Sequence, residues 1–291
     1  MGCAPAQVYF NRLPESMAAY RQKQVLPLQE KAKTVLTTRT PSIQCSEVPD
    51  TVTLLPIAVL FGSLIQSILG GSPVTTIPVE NPIALKHGWL DECEARVAAA
   101  QGKQIDLLFI GDSITQNFVE EPTPAWPLVG ASVWKKHYAA RSALNFGVGS
   151  DGTEHILWRM DHENIKTFKP RVVVLLAGAN DLQYSADDIA AGIKAVLEKS
   201  RAMYPDAKVI LMATLPNGRD MPKTVAANKI TSTFADDRTV FYLDLAPWMP
   251  AAGDNFKGVG FDHIHLTPDG YEIWASHLDP LLDRLLAPQP R

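Results

Sequence analysis

The stretch Leu107-Leu108-Phe109-Ile110-Gly111-Asp112-Ser113 joins four consecutive apolar residues to a glycine and two polar residues. A short continuous apolar run that ends in a turn signal is typical of a strand buried on both faces of a sheet. Polar residues directly after such a strand lie at the carboxyl end of the sheet, where ligands bind in open α/β folds. The stretch therefore predicts an α/β domain and the edge at which its site lies.

Further apolar runs follow along the chain, and the spacing between them leaves room for helices. These runs are Arg171–Leu176, Lys208–Met212, Thr239–Leu243 and a shorter candidate, Leu144–Phe146. Helical spacing or capping residues mark the intervening and following stretches, which are Thr153–Met160, Ser185–Met203, Met221–Phe234 and Asp269–Leu286. This alternation predicts a parallel sheet between two helical layers, a three-layer α/β/α sandwich. We place this domain at residues 85–291.

The composition of the 291-residue chain is globular, with 46% hydrophobic and 20% charged residues, so a large core needs no disulfides or metals. A formal net charge of −4 argues against a nucleic-acid partner held by phosphate neutralisation. Cys3, Cys45 and Cys93 form no CxxC pair, so neither a disulfide framework nor a zinc site is predicted. We expect no cofactor.

Residues 1–84 are interpreted as an N-terminal extension of the domain. Thr51–Val79 carries no charged residue, and its apolar centre at residues 54–69 is interrupted by Pro56 and Gln66. This centre is short for a membrane span. Two interpretations stay open: a signal-type segment or membrane anchor, which we favour, or a hydrophobic strap packed on the domain. The first predicts export or membrane contact through residues 54–69, and the second allows a cytoplasmic protein.

Ser113 is the first candidate for chemistry, because it follows the leading strand and precedes a predicted helical turn. Free N–H groups at a helix N-terminus favour an anion, such as the oxyanion that forms when a serine attacks an ester. Asp112 or Ser113 can equally act as a simple helix cap. Gly-Asp-Ser by itself leaves both interpretations open.

The segment Asp262-His263-Ile264-His265 precedes the last predicted helix. A serine hydroxyl needs a base to become nucleophilic, and a carboxylate can orient a histidine for that task. Asp-x-x-His brings both groups to one side of a tight loop. The alternatives are a solvated polar loop before Thr267 and Pro268, or a metal site formed by Asp262, His263 and His265. The metal site is disfavoured because no distant ligand cluster completes it.

Two further segments offer hydrogen-bond donors. Asn180 follows Gly178-Ala179 at the end of a predicted strand, where it is either a turn residue or a side-chain donor to an oxyanion. Residues 145–152 are rich in glycine and either bind phosphate or present a backbone N–H to an oxyanion. No Lys-Ser or Lys-Thr follows them, which weakens the phosphate interpretation.

Taken together and in this order, the blocks resemble the SGNH (GDSL-type) hydrolase family. The resemblance covers Leu107 to Tyr271 and rests on four blocks: Phe-Ile-Gly-Asp-Ser at 109–113, Asn-Phe-Gly-Val-Gly at 145–149, Gly-Ala-Asn-Asp at 178–181 and Asp-His-Ile-His-Leu-Thr at 262–267. Residues 144–160 are most similar to the platelet-activating-factor acetylhydrolase catalytic-subunit branch. The resemblance implies a flavodoxin-like sheet.

The resemblance also implies a role for each candidate residue. Ser113 is expected to be the nucleophile, His265 the base and Asp262 the residue that orients it. Ser113, Ser150 and Asn180 are expected to donate hydrogen bonds to the oxyanion. Ser150 stands where the family has a glycine, and a positive φ there would be costly for serine. A minor departure is Ile114, where the motif that names the family has leucine.

We therefore expect a serine ester hydrolase that acts on short acyl chains of a small-molecule ester. The stiff segment 120–127, with Trp126, Trp134 and Tyr184, either edges the substrate pocket or is ordinary surface packing. An acyltransferase of the same chemistry, a lysophospholipase, a non-catalytic binding module and a membrane-associated scaffold are the alternatives. The acetylhydrolase-like branch suggests a homodimer, although no residue of this sequence establishes an interface.

Overall fold

Five parallel strands form the central sheet of the computed structural model, which describes residues 72–287. The strands are β1 (Leu107–Gly111), β2 (Ala143–Gly147), β3 (Val172–Leu176), β4 (Lys208–Met212) and β5 (Val240–Leu243). They lie in the order β2-β1-β3-β4-β5, with β1 paired to both β2 and β3. This is the flavodoxin-like order, so the predicted parallel sheet is confirmed.

Successive side chains of each strand enter two different cores, because neighbouring residues of a strand point to opposite faces. In β1, Leu108 and Ile110 pack into one core, whereas Leu107 and Phe109 pack into the other. All four side chains are fully buried. Burial on both faces explains why the strands read as continuous apolar runs rather than alternating ones.

Helices cover both faces of the sheet. They are α1 (Pro82–His87), α2 (Trp89–Ala100), α3 (Ser113–Gln116), α4 (Ala131–His137), α5 (Thr153–His162), α6 (Ala186–Met203), α7 (Met221–Thr231) and α8 (Pro268–Leu286). Helices α2, α5, α6 and α7 contribute to one core, and α3, α4 and α8 to the other. The three-layer α/β/α sandwich predicted from the sequence is therefore confirmed.

Short elements complete the described chain. Three 3₁₀ turns occur at Val74–Thr76, Ser232–Phe234 and Ala246–Trp248. A two-stranded hairpin, β6 (Ala251–Ala252) and β7 (Asn255–Phe256), lies between β5 and α8. The candidate strand at Leu144–Phe146 is a full five-residue edge strand, and the helices α1, α2 and α4 were not predicted. The buried positions of α2, Leu90, Cys93, Val97 and Ala100, do follow helical spacing.

Residues 72–84 are attached to the helical layer by hydrogen bonds that are buried or partly buried. Thr75 Oγ1 donates to the Asp188 carbonyl at 2.6 Å, and Thr153 Oγ1 donates to the Thr75 carbonyl at 2.9 Å. Asn81 caps α1 by accepting from two backbone N–H groups. The boundary between residues 84 and 85 stays a prediction, and the apolar segment 54–69 lies outside the described residues. Within residues 72–287, no helix is long and apolar enough to span a membrane.

Candidate active site

Ser113 is the first residue of α3, directly beyond the carboxyl end of β1. Asp112 caps this short helix, because its Oδ1 accepts from the Ile114 N–H at 2.9 Å. The Asp112 side chain is fully buried, and burial raises its pKa to about 6. Capping is thus the task of Asp112, which leaves the Ser113 hydroxyl free for another partner.

His265 supplies that partner from a position 152 residues further along the chain. Its Nε2 lies 2.8 Å from Ser113 Oγ, and its Nδ1 lies 2.5 Å from Asp262 Oδ2. With the ring proton on Nδ1, Nε2 accepts a hydrogen bond from the serine hydroxyl. The structure thus brings the three residues predicted as a triad into one hydrogen-bonded chain.

The loop before α8 holds Asp262 and His265 in this arrangement. Asp262 Oδ1 accepts from the backbone N–H groups of Ile264 and His265 at 3.1 and 3.0 Å, which closes a tight turn. Burial raises the pKa of Asp262, but the hydrogen bonds from the His265 side chain and backbone outweigh burial and hold this pKa below its ordinary value. Asp262 is therefore ionised and suited to orient the imidazole.

His263 lies within this loop but takes no part in the hydrogen-bonded chain. Its backbone is left-handed, with φ of 61°, and its carbonyl accepts from the Gly218 N–H at 2.7 Å. The backbone of His263 therefore shapes the loop. Among residues 72–287, no group of three or more His, Cys, Asp or Glu side chains could hold a metal ion.

Ser150 lies in the glycine-rich segment beyond β2. Its φ of 62° is left-handed, the conformation that is costly for serine. The preceding Gly149 N–H donates to Gln116 Oε1 at 2.6 Å, which ties this segment to α3. The ring of Trp89 covers Gly149 so closely that an added Cβ would come within 2.5 Å of it. The segment is therefore held in place beside Ser113.

Asn180 follows β3, where Gly178 has a φ of 105° that favours glycine. Asn180 Nδ2 donates to the Asp151 carbonyl at 3.0 Å, and its Oδ1 accepts from Arg219 Nη1 at 3.2 Å. These two bonds fix which end of the amide is the donor. The second hydrogen of Nδ2 stays available to a ligand. Arg219 was not recognised in the sequence.

Asp181, the next residue, holds the same loop against the start of α5. Its two carboxylate oxygens accept from the Thr153 N–H at the start of α5, at 3.3 and 3.1 Å. Burial raises the pKa of Asp181 well above its ordinary value, and the nearby Glu154 carboxylate raises it further. Asp181 therefore connects the carboxyl end of β3 to α5.

A buried ion pair supports the glycine-rich segment. Arg159 of α5 donates from Nε to Asp151 Oδ2 at 2.6 Å, and both side chains are fully buried. Arg159 also donates to the carbonyls of Gly111 and Phe146 at 3.3 and 3.1 Å, at the ends of β1 and β2. One side chain thus ties together the two strand ends that precede Ser113 and Ser150.

These residues open into one cleft of about 460 Å³. Ser113, Ser150, Asn180 and His265 all line the cleft, so the candidate residues share one space. The other lining residues are Trp89, Glu92, Gln116, Asn117, Glu120, Glu121, Thr123, Trp126, Val129, Gly149 and Arg219.

Of the three aromatic residues that the sequence suggested as a pocket edge, only Trp126 lines the cleft. Trp126 lines the cleft, and its ring meets the His265 ring edge-on at 5.2 Å between centroids. Trp134 lies instead among core aromatics, 4.9 Å from the Phe109 ring, and Tyr184 packs against the core on the other face of the sheet. Trp89 of α2, absent from the sequence-based interpretation, supplies the second indole of the cleft.

Comparison with known proteins agrees with the geometry. The model of the GDSL-like Lipase/Acylhydrolase family matches residues 109–273, which is more than half of the chain. This chain belongs to the GDSL-like lipase/acylhydrolase family. The matched region begins in β1 and ends in α8, so it includes Ser113, Asn180, Asp262 and His265.

Curated relatives of this GDSL-like protein are acetylhydrolase subunits. Subunit alpha1 of platelet-activating factor acetylhydrolase IB from Homo sapiens is 28% identical over 205 residues, covering 68% of this chain and 84% of that protein. Subunit alpha2 from Rattus norvegicus is 28% identical over 225 residues, covering 72% and 94%. The predicted resemblance to this branch of the family is confirmed.

Solved structures share the fold of this GDSL-like protein. A GDSL-like lipase from Bacteroides thetaiotaomicron has 20% identity and a TM-score of 0.52, covering 67% of this chain and 97% of that one. The lipase/acylhydrolase from Enterococcus faecalis has 21% identity and a TM-score of 0.51, covering 65% and 100%. Family membership together with the curated relatives makes this protein a carboxylic ester hydrolase.

Proposed function

We propose that this GDSL-like hydrolase cleaves short-chain acyl esters through an acyl-enzyme on Ser113, with His265 as the base and Asp262 as its orienting partner. The observation that supports this proposal is the continuous hydrogen-bonded chain, 2.8 Å from Ser113 Oγ to His265 Nε2 and 2.5 Å from His265 Nδ1 to Asp262. A nucleophile, a base and a carboxylate in hydrogen-bond reach are the parts that acyl transfer requires.

The reaction proceeds in two steps. His265 Nε2 takes the Ser113 proton while Oγ attacks the ester carbonyl carbon, and the resulting imidazolium gives the proton to the departing alcohol. Water then attacks the acyl-enzyme, and His265 accepts its proton and returns it to Ser113 Oγ as the acid leaves. Asp262 stabilises the imidazolium in both steps.

Three donors are suited to stabilise the oxyanion in each step. They are the backbone N–H groups of Ser113 and Ser150 and the side-chain Nδ2 of Asn180, whose residues line the same cleft. Arg219 contacts Asn180 Oδ1, so its positive charge orients the amide and strengthens Nδ2 as a donor. Loss of one such donor typically lowers turnover about 100- to 1,000-fold.

The short acyl chain is inferred from the walls of the cleft. Trp89, Trp126 and Val129 supply apolar surface, whereas most of the other lining side chains are polar or charged. A long acyl chain needs a continuous apolar wall, because its burial against polar groups would leave those groups without hydrogen bonds. An acetyl or similarly small acyl group does not need a continuous apolar wall.

Hydrolysis of p-nitrophenyl acetate, butyrate and palmitate by the wild type and by Ser113→Ala tests the proposal. We expect activity on the acetate and butyrate esters, little on palmitate, and a roughly 10⁴- to 10⁶-fold loss of kcat in Ser113→Ala. Ser232→Ala is the matched control, since Ser232 is exposed and lies outside the cleft. Equal activity in Ser113→Ala would remove Ser113 from the mechanism, and a preference for palmitate would refute the short-chain assignment.

A further inference from the structure

Asn117 presents an unused amide to the cleft. It ends the short helix α3 four residues after Ser113, and therefore lies on the same helical face as the candidate nucleophile. Its backbone is fully used: the N–H donates to the Ser113 carbonyl at 2.8 Å and the carbonyl accepts from Gly130 at 2.9 Å. Its side chain makes no hydrogen bond within the described residues, although Asn117 is only 8% exposed. The amide lines the cleft, so both its donor and its acceptor can pair with polar groups of a ligand.

Carboxylates lie in the same wall. Glu92 and Glu120 line the cleft, and each keeps most of its acceptor capacity. Glu92 Oε2 has a long contact of 3.5 Å with Gln116 Nε2, and Glu120 Oε1 lies 4.0 Å from Arg96 Nη1. One amide that both donates and accepts, beside two carboxylates that accept, matches a ligand with several neighbouring hydroxyl groups.

Two indoles complete this surface. Trp89 packs against Gly149 of the glycine-rich segment, and Trp126 packs edge-on against His265. Both rings are partly exposed and line the cleft. The faces of Trp89 are covered by Gly149 and by the His87 ring, which stacks on it at 4.7 Å between centroids. Trp126 is therefore the indole that can offer a face to a ligand. Indoles offer broad, rigid apolar faces with a polar edge. The C–H face of a pyranose ring fits such a surface while its hydroxyl groups reach the neighbouring polar side chains.

The charge of the cleft disfavours an anionic substrate. Glu92, Glu120 and Glu121 line it, whereas Arg219 is the single permanent cation among the described lining residues. Arg219 is already engaged with the Ala179 carbonyl and with Asn180 Oδ1. A phosphate group placed here would meet like charges without a free cation, which is an unfavourable arrangement.

We infer that the alcohol part of the ester is a sugar, held by Asn117, Glu92 and Glu120 and stacked on Trp126. The substrate class is then an O-acetylated carbohydrate rather than a phospholipid. This inference rests on the proposed function, because it assigns the surface that binds the leaving alcohol beside Ser113.

Rates on three kinds of acetate ester test the inference. The probes are monoacetates of methyl xylopyranoside and methyl glucopyranoside, 2-acetylated glycerophosphocholine, and p-nitrophenyl acetate, whose leaving group has no hydroxyls to recognise. We expect the wild type to hydrolyse at least one sugar ester faster than the glycerophosphocholine ester. Asn117→Ala should lower kcat/KM on that sugar ester about tenfold more than it lowers kcat/KM on p-nitrophenyl acetate, which is the effect of one lost hydrogen bond to the sugar.

Two further variants keep the test decisive. Glu92→Gln preserves the shape of the wall and should reduce sugar-ester hydrolysis without affecting the melting temperature. Asn164→Ala is the matched control, since Asn164 is exposed and does not line the cleft. An equal loss on sugar and p-nitrophenyl esters in a folded Asn117→Ala, or faster hydrolysis of the glycerophosphocholine ester, would overturn the inference. Wild-type activity on p-nitrophenyl acetate without any on sugar esters would overturn it and leave the proposed function intact.

Discussion

At the scale of single residues, Ser150 combines a strained backbone with a proposed role in catalysis. Its φ of 62° places a non-glycine residue in the left-handed region, at a cost of roughly 1–2 kcal/mol. The N–H that we propose as an oxyanion donor belongs to the backbone and does not depend on the side chain. The left-handed backbone is therefore less favourable with serine at this position than it would be with glycine.

Ser150→Gly is accordingly expected to raise stability by about 0.5–1 kcal/mol, because part of the relief is offset by the greater freedom of glycine in the unfolded chain. Thermal unfolding should show a rise in Tm of about 1–4 °C, with kcat on p-nitrophenyl acetate retained. Ser150→Ala retains the strain and serves as the comparison. A large loss of kcat in Ser150→Gly would mean that the serine side chain has a role of its own.

Asp112 gives the protein a pH-dependent stability. Burial raises its pKa to about 6, above about 3.9 in an unfolded chain, so the folded state binds this proton more tightly between those two pH values. Stability from this group is therefore full at low pH and declines as the pH rises through 6. We expect the decline to be about 2 kcal/mol between pH 4.5 and pH 7.5.

Urea unfolding of the wild type and of Asp112→Asn at these two pH values measures the decline. Asparagine can still cap α3 but carries no titrating proton, so the free energy of unfolding of Asp112→Asn should fall less between pH 4.5 and pH 7.5. Any pH-independent cost of the substitution cancels in this difference, as do the contributions of other groups such as Asp262. Identical declines in both proteins would show that Asp112 does not retain its proton on folding.

At the scale of elements, Arg159 joins α5 to the ends of two strands. Its guanidinium pairs with Asp151, donates to the carbonyls of Gly111 and Phe146, and lies 4.1 Å from the centre of the Phe146 ring. Arg159 lies within residues 144–160, the stretch that resembles the acetylhydrolase branch, but the sequence did not indicate its role. The structure places it beneath both segments that carry the proposed oxyanion donors Ser113 and Ser150.

Arg159→Met should destabilise the protein by about 3–5 kcal/mol, since it leaves the Asp151 carboxylate buried without its cation. Urea unfolding is the measurement. The double variant Arg159→Met with Asp151→Asn removes the buried charge and should recover part of the loss. Arg201→Met, on the exposed part of α6, is the control and should change stability by less than about 0.5 kcal/mol. Similar values for Arg159→Met and Arg201→Met would contradict a supporting role for the buried ion pair.

At the scale of the whole molecule, residues 72–84 reinforce the site from outside the predicted domain boundary. Asn81 Nδ2 donates to Asp151 Oδ1 at 2.8 Å and to the Gly149 carbonyl at 3.3 Å, on either side of Ser150. Thr75 adds bonds to α5 and α6. The segment thus contributes to the position of the glycine-rich segment as well as to the helical layer.

A chain that begins at residue 85 should therefore be less stable than one that begins at residue 72. The shorter chain loses the four hydrogen bonds that join Thr75 and Asn81 to α5, α6 and the glycine-rich segment, each worth about 1 kcal/mol, so the expected difference is about 4 kcal/mol. The free energy of unfolding of both chains in urea, with the full chain as reference, measures this difference. Equal stability would show that residues 72–84 are not part of the folded unit.

Local sequence patterns predicted much of the architecture. Apolar runs of β1, β3, β4 and β5 identified the strands because burial on both faces excludes polar residues from them. Ser185 and the spacing of apolar residues identified α6 almost to the residue. Helix α2 escaped recognition although it lies inside the predicted domain, because its buried positions alternate with charged residues rather than forming an apolar run.

The candidate triad could also be predicted, since each of its segments carries a recognisable local pattern and the four blocks occur in family order. Its catalytic role stays a proposal. The cleft walls could not be predicted: Trp89, Asn117 and Arg219 belong to segments whose local patterns are those of ordinary helices and loops. Sequence periodicity reports which residues are buried and which follow a strand. Only the packed sheet decides which distant side chains meet across a cleft, because that depends on strand order and on the direction in which each loop leaves its strand.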